Sequence, residues 1–203
     1  YTGNLSNSGE RIRLTTAAGT PLVDFTYDDA TPWPSGADAG GFSLVLINPT
    51  SNPDPALAVN WRASRLPGGV PGGLEDVNYQ DWTAVHAVTG GSSGDDDGDG
   101  LNNTLEYALN TDPHGFTPNP AGVIQSHEVN GLPGDYLTTT FTMLPEATDI
   151  LYQVEHSTNL SVWDQSPVLV GEVLNPDGSV TQTWRTAEPV SGKGFLRVNV
   201  RPR

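Results

Sequence analysis

Asp95, Asp97 and Asp99 stand at alternate positions in the segment DDDGDGLNNTLE, with Gly100 directly after them and Glu106 closing the run. Counted as a loop of twelve positions, the aspartates take positions 1, 3 and 5, and Gly100 takes position 6, where such a loop turns sharply. The backbone carbonyl of Leu101 falls at position 7. Asn103 falls at position 9, acting directly or through a water, and Glu106 at position 12, where a carboxylate chelates through both oxygens. Every donor is a hard oxygen, and the spacing is the one calcium requires. Three carboxylates this close repel one another unless a cation sits among them. A solvated acidic linker is the plainer explanation of an acidic run, but it has no need of a glycine at position 6 or a glutamate at position 12. Asp112 is weighed as an additional ligand.

The elements that must position this loop follow from composition and patterning. A chain of 203 residues suits one large domain or two to three small ones. With 23 Gly, 17 Pro and 35% hydrophobic residues, short strands and frequent turns are expected, hence a mostly β fold. The net charge of −15 argues against a nucleic-acid backbone as partner and favours divalent cations or basic surfaces. The absence of cysteine excludes disulfides, thiol catalysis and Cys-based zinc or iron–sulfur sites. No apolar run approaches the length of about 18 residues that a membrane-spanning helix needs. Tyr1 has no signal peptide ahead of it, which reads as a processed chain or a fragment.

Three regions separate along the chain, at 1–89, 90–118 and 119–203. In the first, Arg11–Leu14 and Leu22–Tyr27 have strand character, and Phe42–Ile47 (FSLVLI) is a continuous apolar run expected to be a strand buried on both faces. Residues 74–89 fit either a short strand or irregular cover. In the second, a flexible GGSSG at 90–94 leads into the acidic loop. A helix follows, with its apolar stripe at Leu101, Leu105, Ala108 and Leu109 and its end at Asn110 and Pro113. In the third, strands are expected at Tyr136–Met143, Leu151–His156, Val168–Val173, Ser179–Thr186 and Phe195–Val200, a spacing suited to a small β-sandwich.

Residues 4–73 resemble the C-terminal half of a bacterial lamin-tail domain. The residues that carry the likeness are Asn4–Glu10, Asp24–Tyr27, Asp28–Pro34, Gly41–Leu44 and Asn60–Ser64. The resemblance implies an immunoglobulin-like β-sandwich with structural or binding roles, here without the opening strands of the family. Residues 95–113 are similar to a single thrombospondin type 3 or dockerin-like calcium repeat, whose helix ends near Thr111-Asp112-Pro113. The stretch 134–203 resembles terminal β-domains of large secreted bacterial proteins, through Tyr152–Glu155, Ser157–Leu160, Trp163 and Phe195–Val198. Together these imply two immunoglobulin-like β-sandwich domains joined by a calcium-binding loop and helix.

Other residues offer weaker chemistry. His86, His114, His127 and His156 are scattered without ligand spacing. Asp28 and Asp29 beside Trp33 fit turn chemistry better than an acid/base pair. The tryptophans at 33, 61, 82, 163 and 184 serve as packing anchors or, if two share an exposed face, as a sugar-stacking platform. No nucleophile–base pair is indicated, so no catalytic residue is expected. The expectation is a non-catalytic, calcium-stabilised structural or adhesive module of an extracellular or cell-surface protein. The alternative is a carbohydrate-binding accessory module of a secreted enzyme, with polysaccharide as partner. Because Phe42–Ile47 is too apolar for an open edge, its sheet is expected to be completed in one of three ways. The candidates are residues 74–89, a separate protein chain supplying complementary strands, or neighbouring copies that would build a filament.

Overall fold

Alternating side chains make β1 (Glu10–Thr15) and β2 (Pro21–Tyr27) an antiparallel hairpin, with Ile12 opposite Phe25 and Arg13 opposite Asp24. Ile12, Val23, Phe25 and Tyr27 are half-buried on one face, while Arg11 clasps Asp24 on the other through two bonds of 2.6 Å. The computed structural model describes residues 4–73, 75–118, 123–129 and 132–203. Strand accounts for 36% of the chain and helix for 12%, so the mostly β expectation holds. Contacts divide the chain into two compact units, Tyr1–Glu75 with Pro176–Gly178, and Asp76–Asn175 with Ser179–Arg203. The boundary expected between 118 and 119 falls at residues outside the described set.

In the first unit, β3 (Leu44–Leu46) pairs with β4 (Trp61–Ala63), Leu44 facing Ala63 and Leu46 facing Trp61. The strand expected over Phe42–Ile47 is therefore shorter, and its three residues are half-buried rather than covered on both faces. Proximity to Phe25 explains part of the cover that does exist: Trp61 stacks on Phe25 at 5.5 Å between ring centroids and lies 6.2 Å from Trp33. A buried ion pair joins Arg62 to Glu75 at 2.6 Å, and the second Glu75 oxygen accepts from the Arg65 amide at 3.1 Å.

The second unit opens with a helix where a strand or irregular cover was expected. In α1 (Tyr79–Val85), Asn78 is the N-cap: its Oδ1 accepts from the Asp81 amide and its Nδ2 donates to the Asp81 carboxylate. This reciprocal cap turns a β-flavoured sequence into a helix and places Tyr79, Trp82 and His86 on one side. Among the described residues, 75–89 therefore add no strand to the first unit. Then come α2 (Asn103–Leu109), β5 (Val123–Val129), β6 (Leu132–Met143), β7 (Ile150–Ser157), β8 (Val168–Leu174), β9 (Val180–Arg185) and β10 (Phe195–Pro202). All five strands expected in the third region are present, and β5 is an addition. They form a four-stranded sheet in the order β5-β6-β9-β8 and a β10-β7 pair, antiparallel throughout. Between β6 and β9, threonine hydroxyls meet across the strands at 3.0 Å, Thr140 with Thr183 and Thr142 with Thr181.

The core of this unit forms around Leu109 of α2, Phe141 of β6 and Val154 of β7, with Met143, Tyr152, Trp184 and Val198 packed against them. The α2 helix is thus part of the core of the strand-rich unit. No helix among the described residues is long and apolar enough to cross a membrane.

Removing one partner of a buried ion pair is strongly destabilising, by about 3–5 kcal/mol. Glu75→Ala is expected to destabilise the first unit by that order, read by urea unfolding followed through tryptophan fluorescence. A loss near zero would mean that Arg62 does not depend on this carboxylate.

Candidate metal centre

The carboxylates of the acidic loop fall into two sets by their partners. Asp95, Asp97 and Asp99 bring ligand atoms within 4.8 Å of one another and form a group able to hold a metal ion, the one trio of this kind among the described residues. Gly98 and Gly100 have φ of 79° and 94°, a conformation open to glycine at little cost, and they curl the chain around this group. Loop amides point inward. Asp95 accepts from Gly98 at 2.7 Å, from Gly100 at 3.0 Å and from Asp99 at 3.2 Å, and the Gly100 bond leads in holding its carboxyl below the usual range. Asp99 accepts from the amides of Leu101 at 2.7 Å and Thr117 at 2.8 Å, which ties position 5 to position 7 and to the chain after the helix.

Asn102 caps α2 by accepting from the Leu105 amide at 2.9 Å, and Asn110, in the left-handed region at φ 53°, ends it. This short helix buries Asn103 and Glu106 completely, each at 0% exposure, beside the buried Leu101. Both oxygens of Glu106, Oδ1 of Asn103 and Oδ2 of Asp97 are buried without a hydrogen-bond partner. A buried carboxylate left without donors is costly, and a cation beside these four oxygens would offset that cost. Burial comes first among the causes that push the Glu106 carboxyl up to about 7, followed by the charges of Asp97, Asp99, Asp95 and Asp112. Asp112, weighed as an extra ligand, uses Oδ1 to accept from the His114 amide. The donor set holds oxygen alone, which fits a hard cation.

Asp96, between two expected ligands, carried no role in the sequence reading. It faces the other way and accepts from Thr89 N–H, Thr89 hydroxyl, Gly90 N–H and Asn103 Nδ2, at 2.8, 3.1, 2.9 and 3.0 Å. The Thr89 amide leads in lowering its carboxyl to about 2. The GGSSG segment, expected to be a free linker, is bound along its length. Asn103 Nδ2 donates to the Gly91 carbonyl, the Asn103 amide to Gly94, and both the amide and hydroxyl of Thr104 to Ser92.

The helix is fixed to the strands beneath it. Tyr107 is fully buried, its hydroxyl 2.6 Å from the Asp149 carboxylate and 2.7 Å from the Val77 carbonyl, and Tyr152 donates to the Ala108 carbonyl at 2.7 Å. Trp82 of α1 lies against Tyr107 at 5.6 Å. All five tryptophans are buried or half-buried, and the Trp33–Trp61 pair is tilted by 37°. Asp28 accepts from the Ala30 amide at 2.9 Å, the turn role expected of it.

Without metal, the raised Glu106 pKa means that the unfolded chain releases this proton first as pH rises. The Glu106 contribution to metal-free stability is therefore expected to be full below about 4.5, the ordinary glutamate value, and to be lost as pH rises to about 7. Glu106→Gln should remove that decline; a decline of equal size in the variant would assign it to other groups. Family models, curated proteins and solved structures give no match to this chain.

Proposed function

We propose that this chain is a non-catalytic, calcium-stabilised structural or adhesive module of a secreted or cell-surface bacterial protein. The observation that carries the reading is the set of four buried, unpartnered oxygens on Asp97, Asn103 and Glu106 beside the Asp95–Asp97–Asp99 group. In this reading Asp95, Asp97, Asp99, the Leu101 carbonyl, Asn103 and Glu106 hold the ion. Calcium suits six or more oxygen ligands in a flexible arrangement, whereas magnesium demands a tight octahedron and keeps its waters. The ion's work is to neutralise the loop and to hold the GGSSG strap (90–94), α2 and the strands of the second unit together. Millimolar calcium outside a cell would saturate even a weak site of this class.

The proposal retains the lamin-tail-like identity of 4–73, the calcium-repeat identity of 95–113 and an immunoglobulin-like sandwich for each β region, all resting on the residues quoted above. It also retains a partner chain, or neighbouring copies, supplying strands to the first unit. That part is supported by a cleft of about 430 Å³ floored by Ile12, Phe25, Phe42, Leu44 and Trp61, between two sheets of only two strands each. The tilt and burial of the tryptophans favour this reading over carbohydrate binding.

The test is a calorimetric titration with calcium and magnesium, beside thermal melts in calcium and in chelator. One calcium per chain is expected, with a clear preference over magnesium. At free calcium a hundredfold above Kd the stabilisation should be about 2.7 kcal/mol. Glu106→Gln should remove most of it. A melting temperature indifferent to chelator would sink the stabilising role.

A further inference from the structure

We infer that Asp96 is a positioning residue for the metal centre, holding the Asn103 amide group so that its Oδ1 is presented to the ion. The inference rests on the calcium reading above. The Asn103 side chain has two ends with opposite fates. Its Nδ2 is held by Asp96 Oδ1 at 3.0 Å and by the Gly91 carbonyl at 2.8 Å, whereas its Oδ1 is buried with no partner. Two acceptors at the nitrogen fix which way the amide faces, because an amide turned over would set its oxygen against a carboxylate and a carbonyl. The oxygen is thereby left free for a cation. Asn103 is fully buried, at 0% exposure.

Asp96 is itself immobilised. Its other oxygen takes the amide and hydroxyl of Thr89, and Oδ1 also takes the Gly90 amide. A Cβ at Gly90 would collide with Asp96 Oδ1, so this glycine makes the room that the carboxylate occupies; one at Gly94 would collide with the Gly90 carbonyl, so Gly94 lets the strap close on itself. Groups that orient metal ligands from behind commonly govern affinity nearly as strongly as the ligands themselves. Asp96 therefore links residues 89–94 to the ion without touching it. A change in the strap should be felt as a change in affinity.

Calcium affinity of the full chain, measured by titration for four proteins, tests this. Asp96→Ala is expected to raise Kd on the order of 10–100-fold. The double variant Asp96→Ala/Asn103→Ala should bind no worse than Asn103→Ala alone, to within about twofold, because both act on one ligand. A merely structural Asp96 would lower the metal-free melting temperature but leave the two losses additive. Asn103→Asp gives an independent reading should Asp96→Ala not fold. Added negative charge in an isolated loop would tighten binding; here the second oxygen would face Asp96 and the Gly91 carbonyl, so weaker binding is expected. Wild-type affinity in Asp96→Ala, additive losses, or tighter binding by Asn103→Asp would each overturn the inference while leaving the calcium reading intact. Failure of the wild-type chain to bind calcium at all would overturn both.

Discussion

The second unit depends on how the charge buried behind the acidic loop is balanced. Glu106 is sealed from solvent within α2, with both oxygens unpartnered and four aspartates close enough to raise its pKa. In the absence of a counter-charge, the protein can keep that carboxyl protonated or open the loop to water. A cation removes the need for either. The neighbouring donors already point at the aspartates, since loop amides converge on Asp95 and Asp99. They lower the repulsion among the outer carboxylates but supply nothing to Glu106. A bound cation would complete an arrangement that the backbone has begun.

From that point order spreads in two directions. Toward the C-terminus, the helix that carries Glu106 also carries Tyr107 and Leu109. These reach Asp149, Phe141 and Val154, so the position of the loop is coupled to the strands. Toward the N-terminus, Asp96 and the first residues of α2 hold the glycine-rich strap, and Trp82 rests on Tyr107. A seven-residue helix is too short to be stable by itself in water, so its stability comes from these contacts. The first unit is built differently, from two small sheets packed through Phe25 and Trp61 and a buried Arg62–Glu75 pair.

Much of this was legible because the signals are local. The grouping of Asp95, Asp97 and Asp99 and the glycine turn after them follow from loop spacing alone, and the strands of the third region follow from period-two patterning between turn residues. Other features depend on partners distant in sequence. Helix α1 was hidden because Val77, Tyr79 and Trp82 suggest a strand, and the Asn78–Asp81 cap that decides otherwise is a two-residue signal. The strap was read as free because glycine and serine usually are; its acceptors are filled by Asn103 and Thr104 across the loop. Asp96 escaped notice because a loop count assigns roles to odd positions, whereas this even one is bound to the strap. The run Phe42–Ile47 shows that apolar composition alone does not set strand length, since its pairing partner β4 offers only three residues.

The most direct measurement is anomalous diffraction from crystals grown with calcium, or with a lanthanide in its place. The expected result is a single strong peak inside the loop. Oxygens of Asp95, Asp97, Asp99, Asn103 and Glu106 and the Leu101 carbonyl should lie about 2.3–2.6 Å from it when calcium is bound. A peak located elsewhere, or an ion in the loop with Glu106 and Asn103 outside its coordination sphere, would contradict the assignment of the buried oxygens as ligands.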